Sequence, residues 1–88
     1  LRMVEIVRPN VPPNMAFPEY RLFDINPEGL YHLIGLRNLD VLISVNNLVI
    51  WDPAGFKRLI TLMPRFSKDF SLQILRAGKP KNILVTFQ

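Results

Sequence analysis

A capped amphipathic helix set between two turn-linked strand pairs limits this chain more than any other feature. Asp52 is a favoured N-cap residue, and Pro53 suits the first helical position because its missing N–H could find no partner inside the helix anyway. Trp51 lies just outside the cap and Phe56 five residues later, the spacing of a hydrophobic staple. Phe56, Leu59, Ile60 and Met63 recur at i, i+3, i+4 and i+7, and Pro64 is expected to close the run. Phe56, Ile60 and Met63 are assigned to the core. Gly55 and Leu62 widen the apolar arc beside Leu59, with Arg58 just beyond. That flank either lines a groove or is simply buried, and periodicity favours neither.

The elements on both sides are strands. Residues 40–45 alternate, with Val41, Ile43 and Val45 on one face and Leu42 and Ser44 on the other. Asn46 and Asn47 then supply a tight turn, since Asn tolerates positive φ better than other non-glycine residues. Residues 48–50 return as a short strand. Beyond the helix, residues 70–76 and 81–87 form a hairpin around residues 77–80, with Phe70, Leu72 and Ile74 alternating on the first strand and Ile83, Val85 and Phe87 on the second.

Upstream, residues 1–7 read as a strand with one face on the core. Pro9, Pro12, Pro13 and Pro18 follow, and a stretch so short of donors joins neither ladder nor helix. Residues 8–18 are therefore a connector. Residues 20–25 read as a strand covered on both faces. Residues 29–34 fit one short helix, closed by Gly35, with Leu30, Leu33 and Ile34 inward and His32 exposed.

At 88 residues the chain suits one domain, residues 1–88, and the absence of an initiator Met suggests a fragment of a longer protein. It has no cysteine, so disulfides and thiolate zinc sites are excluded. No apolar run reaches the roughly 18–20 residues of a membrane helix. The net charge of +4 is uneven. Residues 1–52 carry four basic and six acidic residues, whereas residues 53–88 carry seven basic residues against Asp69 alone. The basic residues are spread and belong to no nucleic-acid recognition motif, so nucleic acid is not expected as a partner. Catalysis would need Ser44, Ser67 or Ser71 paired with His32, and no spacing supports that; no cofactor and no metal site are expected. The chain reads as a binding module and not as an enzyme.

Gly35-Leu36 followed by Asp40-Val41, then Ser44-Val45-Asn46, the helix after Asp52 and the Arg76-Ala77-Gly78-Lys79 turn together resemble a PDZ domain of the bacterial kind. The resemblance spans residues 20–87. It departs from the family at Leu39 and Asn47, where glycines are usual; leucine does not take positive φ cheaply, so the loop over residues 37–39 is expected to differ in shape. Within the family the chain is most similar to the domain of general secretion pathway protein C, the inner-membrane C component of type II secretion. The residues behind that likeness are Tyr20-Arg21-Leu22, Leu30-Tyr31 through Ile34-Gly35-Leu36, and Val45-Asn46-Asn47-Leu48 running into Asp52-Pro53.

The resemblance implies an α+β fold: a PDZ-like small antiparallel β-barrel or sandwich of five to six strands, capped by one short and one longer helix. It implies a groove between the first strand (Met3, Glu5, Val7) and the long helix (Gly55, Arg58, Leu59, Leu62), where an extended peptide adds as a strand. Many family members also capture a C-terminal carboxylate with a Gly-Φ-Gly-Φ loop before the groove strand. No such motif is present here, so an internal segment or a protein surface is at least as good a candidate ligand. The implied partners are proteins or peptides: exported substrates, the secretin or other secretion components, met on the periplasmic face of the bacterial inner membrane. The alternative is the regulatory PDZ domain of a periplasmic or membrane protease that binds polypeptide segments.

Overall fold

A computed structural model of the chain describes residues 1–6, 17–66 and 69–86, with the side chains of residues 63–66 outside that description. Six strands and two helices follow in the order β1 (Arg2–Glu5), β2 (Tyr20–Phe23), α1 (Leu30–Leu33), β3 (Val41–Val45), β4 (Leu48–Val49), α2 (Pro53–Phe66), β5 (Phe70–Arg76) and β6 (Lys79–Val85). All strand pairs are antiparallel in one sheet of order β1-β2-β3-β5-β6, with β4 paired to β3. The proline-rich connector and Val7 lie outside the described residues, as does Phe87.

The core gathers Tyr20 and Leu22 from β2, Leu42 and Val45 from β3, Phe56 and Ile60 from α2, and Phe70, Leu72 and Ile74 from β5. Strict alternation along β3 would put Leu42 and Val45 on opposite faces. They share the core because the pairing with β5 shifts register between Leu42 and Ser44, and the extra residue turns Val45 inward. In β2, Asp24 takes φ 57° just after the strand and swings Ile25 back to the core. Both two-residue turns are left-handed throughout, Asn46-Asn47 (φ 51° and 64°) and Ala77-Gly78 (φ 53° and 76°), as a tight hairpin on twisted strands requires. The second hairpin is therefore tighter than the spacing suggested, with β6 starting at Lys79.

Several local expectations are corrected. In α1, Leu30 and Ile34 turn inward as expected, but Leu33 is 81% exposed, Tyr31 packs on the core in its place, and His32 is half-buried and not exposed. Trp51 does not staple to Phe56. The residue is 69% exposed with its ring edge-on to Phe17 at 6.2 Å, whereas the buried Phe56 ring stacks on Tyr31 at 6.5 Å. Pro64 does not end α2, which continues to Phe66; a proline near a helix end removes only one backbone donor. Leu39 adopts φ 73°, so the loop keeps the left-handed residue that glycine usually supplies. A strain of roughly 1–2 kcal/mol accompanies a leucine there. The Leu39 N–H to Leu22 carbonyl bond, at 2.7 Å, helps hold it.

One polar clasp ties the fold together. Asp40, 2% exposed, accepts two bonds from Arg76 (Nε to Oδ1 2.9 Å, Nη2 to Oδ2 2.7 Å) and one from the Arg37 N–H (2.9 Å). Arg76 Nη2 also reaches the Gly35 carbonyl at 2.7 Å, joining the end of α1 to β5. The carboxylate keeps the guanidinium charged and raises its pKa.

Candidate protein-interaction site

β1 and β6 lie at the two ends of the strand order, while the two-residue β4 pairs only with β3, and the two end strands differ in what they offer. Ile6 donates to the Glu19 carbonyl at 2.9 Å, continuing the register that pairs Glu5 with Tyr20 and Met3 with Leu22. Antiparallel pairs alternate between hydrogen-bonded and non-hydrogen-bonded positions. Arg2, Val4 and Ile6 therefore turn their backbone groups toward β2, and Met3 and Glu5 turn theirs away from the sheet. Side chains of directly opposed residues share a face, so Met3 and Glu5 lie on the same face as the buried Leu22 and Tyr20. Met3 packs partly on the core, and Glu5 is exposed.

The other edge is guarded. Asn46 and Ser71 bond between β3 and β5 (Asn46 N–H to the Ser71 carbonyl, 2.8 Å), which leaves the alternate residues of β5 to bond β6. Pro80, Asn82 and Leu84 then face outward along β6. Pro80 has no N–H to offer there, and Lys79 and Lys81 flank it, a pattern that discourages a further strand. No proline interrupts Arg2–Glu5.

Tyr20 connects the β1 edge to the start of α2. It stands opposite Glu5, and its hydroxyl donates to the Ile50 carbonyl at 3.1 Å, two residues before the helix cap. Burial raises the phenol pKa above 10.0, and the negative charges of Glu5 and Asp52 add to the effect. The folded state thus holds this proton more tightly than the unfolded chain does. The resulting stability is complete below the unfolded value near 10 and is lost as pH rises past it. A urea-midpoint series across that range is expected to fall on the alkaline side, and Tyr20→Phe is expected to reduce the fall while costing about 1 kcal/mol at neutral pH.

Asp52 caps α2 through its Oδ1, which accepts the Ala54 N–H at 3.1 Å, while the Asp52 carbonyl accepts the Phe56 N–H at 3.0 Å. Beside this cap, Gly55, Phe56 and Leu59 form one wall of a cavity of about 380 Å³; Val45, Asn46 and the segment from Leu48 to Asp52 form the rest. Gly55 and Leu59 are thus brought together, and they face β4 and the Asn46 turn. No β1 residue lines this cavity. Arg58 and Leu62 are exposed on the same side of the helix, and Leu62 is 36% exposed. Met3 and Glu5 belong to the β1 edge, and Val7 lies outside the described residues. The residues expected to form one groove therefore fall into two places, a strand edge and a cavity. Trp51 and Leu48, both exposed lining residues, were not anticipated; the spacing in the sequence assigned Trp51 to a staple on Phe56 instead.

The fold has counterparts among solved structures. Two structures of the PDZ domain of EpsC from Vibrio cholerae, residues 219-305 and 204-305, each match 98% of this chain at 23% identity and a TM-score of 0.56. The chain covers 92% of the shorter and 76% of the longer. This chain has a PDZ fold. No family model matches it, and no curated protein does. Domains of this fold are generally non-catalytic and bind peptides or proteins.

The described serine hydroxyls hydrogen-bond within the sheet. Ser44 Oγ donates to Gln73 Oε1 at 2.7 Å, and Ser71 Oγ accepts from Gln73 Nε2 at 2.9 Å; Ser67 lies outside the described residues. Among the described residues no three His, Cys, Asp or Glu side chains converge to hold a metal. No described helix is long and apolar enough to cross a membrane.

Proposed function

We propose that this PDZ domain is a non-catalytic interaction module of a type II secretion system, acting on the periplasmic face of the inner membrane. In this reading an extended segment of an exported protein, or of another secretion component, adds as a strand to β1. The observation that carries it is the contrast between the two sheet edges: Met3 and Glu5 present outward backbone groups with no proline between them, while Pro80 blunts β6. Support for the secretion context comes from the residues shared with general secretion pathway protein C and from the likeness to the EpsC domain.

The test is made in the parent protein in its own cell. Met3→Pro places a ring where β1 must donate to an incoming strand, yet removes no bond to β2. Release of secreted enzymes into the medium is expected to fall sharply, with Leu84→Ala on the guarded edge as the unaffected control. Normal release combined with slowed turnover of misfolded periplasmic proteins would point instead to the regulatory domain of a protease.

A further inference from the structure

Val41 is buried, at 5% exposure, yet it lies outside the core cluster that holds its neighbour Leu42. The register explains the difference. Val41 stands opposite Arg21 on β2 and Leu75 on β5, whereas Leu42 stands opposite the buried Tyr20 and Ile74. Successive strand residues point to opposite faces, so Val41 belongs to the face of the sheet turned away from the core. There it shares a cavity of about 390 Å³ with Ile6, Leu39, Leu75, Arg21 and the Ala77-Gly78 turn. No described residue of α1 or α2 lines it. Its volume lies toward the lower end of the roughly 300–1,000 Å³ usual for small-molecule sites.

Leu39 is the odd member of this group. Its φ of 73° strains a leucine, and at 59% exposure the side chain offsets little of that strain by burial. Residues held against their backbone preference cluster at ligand sites, and Leu39 lines this cavity.

Charge and hydrogen bonding select the occupant. Arg21 is the only charged residue among the described ones that line the cavity, and it has no ion-pair partner among them. Its Nη1 donates to the Leu39 carbonyl at 2.8 Å, which anchors the guanidinium and leaves its other N–H groups open to an anion. Nearby carboxylates are engaged elsewhere: Asp24 pairs with Arg2, Asp40 is clasped by Arg76, and Glu19 lines a different cavity. Arg21, Val41 and Leu75 sit within the ladders of β2, β3 and β5, so their backbone groups already have partners. A polypeptide laid over them would strip water from its peptide groups and gain no bond in return. An acyl chain carries no such groups. A second copy docked symmetrically would set Arg21 against its counterpart.

We propose that this cavity binds a free medium-chain monocarboxylate, with its carboxylate on Arg21 and its acyl chain against Ile6, Leu39, Val41 and Leu75. The site uses no outward backbone group of β1 and is independent of strand addition there.

The probe is sodium octanoate, titrated below its micelle concentration into the isotope-labelled domain and followed by amide resonances. Those of Arg21, Val41, Leu75 and Gly78 are expected to shift in a saturable way, while those of Gly55 and Leu59 stay in place. 1-Octanol, the same chain without the charge, is expected to bind at least about tenfold more weakly. Arg21→Gln, at an exposed position, is expected to remove that preference. Leu39→Gly, which the positive φ accepts without strain, is expected to keep the fold and weaken octanoate binding at least about fivefold. Equal binding of octanoate and 1-octanol, shifts confined to the cavity beside α2, or unchanged octanoate binding in either variant would overturn the proposal. A vesicle measurement separates the free acid from a membrane. The domain is expected to stay in solution with phosphatidylglycerol vesicles, and cosedimentation that Arg21→Gln abolishes would make a lipid surface the occupant instead.

Discussion

Arg76→Ala is expected to lose about 3–5 kcal/mol of stability, the usual cost of removing one partner from a buried ion pair. The reason is Asp40. Its side chain is 2% exposed, and without Arg76 it keeps only the Arg37 N–H of the three bonds described. The same variant leaves the Gly35 carbonyl without the guanidinium that ties the end of α1 to β5. For a domain of this size the loss corresponds to a fall in Tm of well over about 10 °C. Arg76→Lys keeps the charge but offers no fork for two carboxylate oxygens, so it is expected to recover only part of the loss. Thermal unfolding of the three proteins checks the order. Equal stability of the alanine and wild-type proteins would show that the clasp contributes nothing net.

The second large effect belongs to the face of α2 that meets the sheet. Phe56 is 3% exposed and stacks on Tyr31, so Phe56→Ala is expected to cost about 3–5 kcal/mol in transfer and cavity terms. The stacking itself accounts for about 0.5–1.5 kcal/mol of such a pair and is lost with it. Leu33→Ala is the companion measurement. At 81% exposure the side chain has little to lose, and the change is expected to stay within about 0.5 kcal/mol. Chemical denaturation of both variants separates the observed α1 from the one that periodicity suggests. A severe loss at Leu33 would return that leucine to the core and contradict the observed packing.

Features set by neighbouring residues were legible in the sequence. Asn46-Asn47 announced a left-handed turn because few other residue pairs accept it, and Asp52-Pro53 announced a helix start through the chemistry of unsatisfied N–H groups. Phe70, Leu72 and Ile74 announced a strand face because their two-residue period is local. What escaped was set by distant contacts. A pairing irregularity with β5 moved Val45 into the core, and packing against Phe56 drew Tyr31 inward in place of Leu33. Leu39 accepted a strained φ that its own chemistry opposes, held by the backbone of β2.

The candidate site divides in the same way. Met3 and Glu5 could be placed on a strand from their neighbours, and Gly55 and Leu59 on one flank of a helix. Which flank meets which strand depends on how α2 is rotated over the sheet, and no local spacing encodes that rotation. The flank meets β4, so a single expected groove became an edge and a cavity.

The central claim is that β1 receives an added strand, and amide hydrogen exchange on the bound domain tests it most directly. The ligand is a peptide selected on the domain from a random display library. On saturation the Met3 and Glu5 amides are expected to slow at least about tenfold, because they gain partners that the free edge lacks. The Asn82 and Leu84 amides on β6 are expected to keep their free-state rates. Protection appearing on β6, or binding that leaves Met3 and Glu5 exchanging as before, would contradict the account.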